Sequence, residues 1–108
     1  MANTFKLKTK ANVGVSTTNV YVVPSATTTV VIGVTLANTS GSSINVGVGV
    51  TRTSTDDVKL MKNVPIPQGS SFEFMAGNKV VLETTDTLTA ESDVNNSLDV
   101  ALTIMEIT

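Results

Sequence analysis

The sequence predicts an all-β fold, a single antiparallel two-sheet β-sandwich of jelly-roll or immunoglobulin-like topology. Three observations predict it. Apolar and polar residues alternate in short runs, and turn residues separate these runs roughly every ten positions. Valine and threonine, which favour strands, dominate the composition. A chain of 108 residues has the usual size of one domain, so residues 1–108 are expected to form one sandwich.

The first two predicted strands lie before residue 25. Phe5 and Leu7 alternate with Lys6, Lys8 and Lys10. Because side chains alternate along a strand, the three lysines share one face, and we call them the lysine stripe. The stripe could contact an acidic neighbour, but the favoured interpretation is a solvated face or a charged guard on an edge strand. The second strand, Asn19–Val23, ends where Pro24 removes a ladder donor.

The next two predicted strands are the most apolar. Val30–Ala37 is apolar or small on both faces, which is typical of a central strand, and its even-numbered residues are expected on one face. A polar turn at 38–43 leads into Ile44–Thr51, so the two strands are expected to form a hairpin. Gly47 and Gly49 remove the side chains from one face, which indicates either a weak or bulged strand or the close approach of another backbone.

The second half of the chain predicts five short strands, for a total of about nine and no helix longer than a turn. Pro65 and Pro67 favour an extended, unpaired or edge segment. Ala76–Lys79 is predicted to be a hairpin turn. The five strands are Val58–Lys62, Ser71–Met75, Lys79–Glu83, Thr87–Glu91 and Leu98–Ile107.

The missing residue types exclude several kinds of site. Without cysteine or histidine, the chain cannot form a disulfide, a thiolate or histidine zinc site, or a Ser-His or Cys-His nucleophile pair. No tryptophan and a single tyrosine argue against stacking platforms for bases or sugars. We therefore expect no enzymatic activity, no catalytic residues and no cofactor.

Charge and hydropathy argue against nucleic acid and against a membrane as partners. The net charge is −2 and Arg52 is the single arginine, so nucleic acid is not an expected partner. The most apolar stretch, Val30–Leu36, is too short to span a bilayer, and the start does not resemble a signal peptide. We therefore expect no membrane partner and synthesis in the cytoplasm.

Three carboxylates are candidates for a cation site. Asp86, Glu91 and Asp93 lie near two successive predicted turns, where oxygen ligands of calcium often converge. Their spacing fits no calcium-loop signature, and carboxylates are common in surface turns. No metal site is therefore predicted.

A succession of turn and strand motifs runs through the second half of the chain. It consists of an Ile-Pro-x-Gly-Ser turn at 66–70, a glycine-containing hairpin at 77–79, a Val-Leu-Glu strand at 81–83 followed by Asp86, and a last strand ending near Glu106. This succession resembles the small virion structural proteins of tailed bacteriophages. The first half agrees more loosely, through Val20–Ser25 and Val31–Asn38. No functional residue of this chain can be assigned from the resemblance.

This resemblance implies a protein without enzymatic activity that is present in many copies on the phage particle. The leading interpretation is a capsid decoration (cement) protein that docks as a homo-oligomer, with a trimer as the expected state. Its partners would be other virion proteins, the major capsid or tail protein. A tail, neck or fibre component is one alternative, and a surface glycan-binding module is another. The expected location is the virion, after synthesis in the host cytoplasm.

Overall fold

The computed structural model describes residues 2–53, 55–74 and 79–108. These residues form nine strands in two antiparallel sheets, and none of them is helical, so no described helix could cross a membrane. The predicted all-β sandwich is confirmed. The strands are β1 (Asn3–Val13), β2 (Thr18–Val22), β3 (Thr28–Asn38), β4 (Ile44–Thr51), β5 (Val58–Ile66), β6 (Ser71–Phe74), β7 (Val80–Leu82), β8 (Thr87–Ser92) and β9 (Leu98–Ile107).

The strand order is that of a jelly roll. The first sheet has the order β1-β9-β3, with β6 and β7 both on the far side of β3, and the second has the order β2-β8-β4-β5. The pairs are nested along the chain: β1 with β9, β2 with β8, β3 with β6 and β7, and β4 with β5. The chain thus forms one long hairpin rolled up across two sheets. The immunoglobulin-like alternative is wrong, because that fold groups its strands differently.

The core lies between the two sheets. Its largest fully buried side chains are leucines and isoleucines, and they come from both sheets. Burial of a side chain of this size contributes about 1.5–3 kcal/mol, so the core supplies the main favourable contribution to folding. The leucines and isoleucines are Leu36, Ile44, Ile66, Leu82, Leu88, Leu98, Leu102 and Ile104.

The predicted hairpin of the third and fourth strands is wrong, because β3 and β4 lie in different sheets. A buried asparagine at the end of β3 stabilises this crossing between sheets. Asn38 donates from Nδ2 to the carbonyl oxygens of Ser42 (2.8 Å) and Ile66 (2.9 Å), and its Oδ1 accepts from the backbone N–H of Ser40 (2.9 Å). A polar turn between two apolar strands is compatible with either connection, so local sequence does not distinguish them.

The predicted hairpin of the sixth and seventh strands is also wrong. Both strands run antiparallel to β3: Ala37 lies opposite Ser71 near one end, and Thr29 lies opposite Leu82 near the other. β6 and β7 therefore follow one another along the same edge of β3. Residues 76–78 of the predicted turn lie outside the described residues.

A β-bulge changes the predicted face of β3. The register between β3 and β9 shifts between Val31 and Gly33, so one extra residue is accommodated there. Val31 is buried on one side of this bulge, and Val34 and Leu36 are buried on the other. The expectation that all even-numbered residues share one face is therefore wrong. The central position of the strand, between β9 and β6–β7, is confirmed.

The edge strand β5 is longer than predicted. It continues through Pro65 to Ile66, and Pro65 is tolerated because β5 lies at the edge of its sheet, as predicted. Its register with β4 shifts on both sides of Val48. A Cβ atom on Gly49 would lie 2.9 Å from the carbonyl oxygen of Val58, so the strand is bulged and closely approached by another backbone at the same place.

Candidate interaction surfaces

The lysine stripe lies on an edge strand. Among the described strands of the first sheet β1 pairs only with β9, which confirms the edge position that one of the two favoured interpretations predicted. Lys6, Lys8 and Lys10 lie opposite Ile104, Leu102 and Val100, whose side chains are buried, so the stripe is on the inner side of the sheet. The lysines remain exposed or half-buried because β1 lies at the sheet edge.

Lys6 has an acidic partner within its own chain. Its Nζ lies 2.9 Å from Oε1 of Glu106, a side chain that is only 7% exposed. The Oη of Tyr21 donates to Oε2 of Glu106 at 2.5 Å and lies 2.8 Å from Oγ1 of the buried Thr29. This cluster links β1, β2, β3 and β9, and so joins the two sheets across the core.

The ionisation of the cluster suits a structural role. Burial, followed by the hydrogen bond to Glu106, raises the pKa of Tyr21 to about 12. The hydrogen bond from Tyr21, followed by that from Lys6, lowers the pKa of Glu106. At neutral pH the phenol is therefore protonated and the carboxylate is charged. The hydrogen bond from the phenol to the carboxylate therefore keeps the same ionisation across the neutral pH range.

A second charged cluster surrounds Asp86, one of the three candidate cation ligands. Nε of Arg52 lies 3.1 Å from Oδ1 of Asp86, and Nη2 of Arg52 lies 2.6 Å from Oε1 of Glu83. The backbone N–H of Glu83 donates to the other Asp86 oxygen at 2.9 Å. Asp86 is buried and both of its oxygens accept hydrogen bonds, so it holds the turn before β8 in place.

The other two candidate cation ligands lie at the far end of β8. Glu91 pairs with Lys59 at 2.6 Å, which lowers the pKa of Glu91, and Oδ1 of Asp93 accepts from the backbone N–H of Asn45 at 3.0 Å. Asp86 precedes the six-residue strand and Asp93 follows it. A strand of that length spans about 20 Å, so the three carboxylates do not converge on one ion.

A row of apolar side chains crosses the outer face of the first sheet, the face turned away from the second sheet. Phe5 lies opposite Met105, Met105 lies opposite Val30, and Val30 lies opposite Val81. Residues directly opposite each other share a face, so the four side chains form one line across four strands. Phe5 is 70% exposed and Val81 is 58% exposed, while the neighbouring Leu7 is 65% exposed.

The rest of this outer face is nearly uncharged. Among the residues paired in register on it, only Glu73 and Asp99 carry a charge. Many of the others are small, and they include Thr9, Gly33, Thr35, Ala37, Ala101 and Thr103. Sequence reasoning identified the alternation of Phe5 and Leu7 with lysines but not this surface, because strand pairing assembles the row from four distant segments.

The comparisons with known proteins bear on the fold. No protein-family model matches the chain, and no curated protein matches it. Among solved structures, the chain is similar to one from Bacillus endospore appendages, described as a novel family of disulfide-linked pili. The TM-score is 0.59 and the identity is 11%, over 99% of this chain and 87% of that chain. This similarity shows that the two chains share a fold.

Proposed function

We propose that this chain is a non-catalytic structural protein that assembles with copies of itself into a larger particle. The observation that carries the proposal is the apolar row on the outer face of the first sheet, with Phe5 and Val81 exposed at its two ends. Large contiguous apolar patches are rare on the surface of monomeric proteins and mark interaction sites. Glu106, Asp86 and Glu91 are meanwhile engaged in hydrogen bonds and ion pairs that join strands and turns.

The size and chemistry of the outer face suit a second copy as its occupant. Four strands spaced about 4.8 Å apart and eight paired residues long cover about 500 Å² in projection. Side-chain relief adds to this area, which approaches the roughly 800 Å² that each partner buries in a standard interface. A two-fold axis brings the same patch of both copies together, so two copies can pack their apolar rows against each other.

The finer form of the proposal is a bacteriophage virion protein, with capsid decoration as the leading role. The support is the resemblance of the motifs from the Ile66–Ser70 turn to the last strand. The particle would be assembled in the host cytoplasm, and the protein would dock on the major capsid or tail protein. On the capsid the resemblance implies a trimer, which needs subunit contacts beyond a two-fold packing of the outer faces. A tail or neck component is the alternative within the virion.

A fibre subunit is the second candidate function. The support is the shared fold with a chain described as part of a pilus, over nearly the full length of this chain. These 108 residues contain no cysteine, so the disulfide linkage named for that structure is not available within them. A fibre of this protein would therefore be held together by non-covalent contacts between subunits.

The proposal is tested by a matched pair of charge substitutions. Val81→Lys places a charge in the apolar row, whereas Val22→Lys places one on a comparably exposed valine (51%) of the second sheet. We expect wild type and Val22→Lys to form the same oligomer by multi-angle light scattering, and Val81→Lys to dissociate. A wild-type protein that is monomeric at every concentration, or equal effects of the two variants, would contradict the proposed surface.

A binding assay separates the finer alternatives. Co-sedimentation of the oligomer with emptied phage heads would support capsid decoration. Filaments of the purified protein in negative-stain electron microscopy would support the fibre role. A monomer that binds a glycan array would instead favour the glycan-binding alternative.

A further inference from the structure

The first eight residues of β1 add almost nothing to the core. We call the segment Asn3–Lys10 the arm. Val13 is the β1 member of the buried core cluster, and it lies beyond the arm. Within the arm, the side chains of Phe5 and Leu7 are mostly exposed. The same arm from a second copy could therefore replace it without any change among the buried apolar side chains of the core.

The joint that follows the arm is short and irregular. The register between β1 and β9 is continuous from Asn3 to Lys10 and then shifts before Val13. Within this shift, Asn12 has a φ of 58°, in the left-handed region, and its backbone N–H donates to Oδ1 of Asp99 at 3.0 Å. An extended joint would not require the left-handed conformation at Asn12. Short connections under strain favour the exchange of the attached segment between copies.

The contacts that hold the arm can be made equally well between two chains. Eight consecutive residues of the arm pair in register with β9. The ion pair between Lys6 and the largely buried Glu106 then selects this register. A foreign strand would have to place a cation at the same position, because a buried carboxylate that loses its partner is destabilising. The site on β9 therefore favours the arm of this chain over other strands.

We propose that the arm of one copy pairs with β9 of a second copy, so that copies are joined by strand exchange. The inference rests on the proposed function in that it requires copies to assemble. It adds a specific linkage: the Asn3–Lys10 strand of one subunit completes the first sheet of its neighbour. If the exchange is reciprocal, it closes a dimer, and if it passes from copy to copy, it produces a ring or a filament.

The absence of native cysteine allows a direct test. Thr9 and Thr35 both lie opposite Ala101, the first across the β1–β9 pair and the second across the β3–β9 pair. The double variant T9C/A101C therefore reports on the arm, and T35C/A101C is the matched control within the sandwich. Each variant is oxidised after assembly, and its mass is read by non-reducing denaturing electrophoresis. The single variant T9C measures disulfides formed by chance collision.

Strand exchange predicts that T9C/A101C becomes covalently linked into two or more chains, whereas T35C/A101C stays at the mass of one chain. The linked fraction should exceed that of T9C alone and should not fall when the assembled protein is diluted just before oxidation. Two glycines inserted between Ala11 and Asn12 lengthen the joint and should convert linked chains into single chains. Insertion that leaves the linked fraction unchanged would contradict the role of the joint.

Failure of the exchange can be distinguished from failure of the proposed function. If T9C/A101C gives the mass of one chain while light scattering shows an oligomer, the exchange is overturned and assembly through the outer face stands. If it gives the mass of one chain in a protein that is monomeric at every concentration, both proposals are overturned.

Discussion

Removal of the Tyr21 hydroxyl is expected to destabilise the fold strongly, although the substitution Tyr21→Phe is nearly isosteric. The residue is 6% exposed, and its Oη lies 2.5 Å from Oε2 of Glu106 and 2.8 Å from Oγ1 of Thr29. A hydrogen bond to a charged group contributes about 1.5–3 kcal/mol, and one between neutral groups about 1 kcal/mol. The free energy of unfolding should therefore fall by about 2–4 kcal/mol.

The measurement is urea denaturation followed by far-ultraviolet circular dichroism. Fluorescence is unsuitable, because the chain has no tryptophan and the substitution removes its single tyrosine. Thr29→Val is the companion variant, and the double variant completes a thermodynamic cycle. The two effects should be non-additive, since the hydroxyls of Tyr21 and Thr29 contact each other. All variants are compared at one protein concentration, because assembly changes apparent stability.

The pH dependence provides an independent check. The pKa of Tyr21 is raised from 10.0 to about 12 in the folded protein. The stability contributed by the protonated phenol is therefore fully present below pH 10 and is lost as the pH rises toward 12. The stability gap between wild type and Tyr21→Phe should narrow over that interval. A negligible effect at neutral pH, or a gap that does not change with pH, would refute this account of the cluster.

Two further predictions concern stability. Gly49→Ala should lower the free energy of unfolding, measured by urea denaturation, by about 1–3 kcal/mol, because the added Cβ would lie 2.9 Å from a β5 carbonyl oxygen. Gly33→Ala is the control and should be neutral or stabilising, because no atom lies within 4 Å of its added Cβ. Equal losses in the two variants would contradict the packing argument. The hydrogen bond from Tyr21, followed by that from Lys6, lowers the pKa of Glu106 in the folded protein. The stability that the Glu106 carboxylate contributes is therefore present above its ordinary pKa of 4.5 and is lost as the pH falls through the lower folded value. Glu106→Gln should make stability less dependent on acid pH, and an acid titration by circular dichroism with an unchanged slope would contradict this.

The sequence alone determined the strands and the class of the fold. Strands such as β3, β4 and β9 could be predicted because alternation and turn residues are local signals that reflect burial on one face and chain reversal. The exclusion of cysteine and histidine chemistry follows from composition and needs no structure. An edge position for the lysine-bearing strand was one of two interpretations of its charges, the other being a solvated face, and local sequence did not decide between them.

The tertiary structure decided which strands pair and which side chains meet. A polar turn is compatible with a hairpin or with a crossing between sheets, so the separation of β3 from β4 depends on contacts made elsewhere, including those of Asn38. A one-residue bulge changes which side chains of β3 face the core, and no local pattern marks it. The apolar row and the Tyr21–Glu106 cluster join residues that are far apart in the chain. Local periodicity records only whether a residue is buried, whereas its neighbours across the sheets are set by the packing of the whole domain.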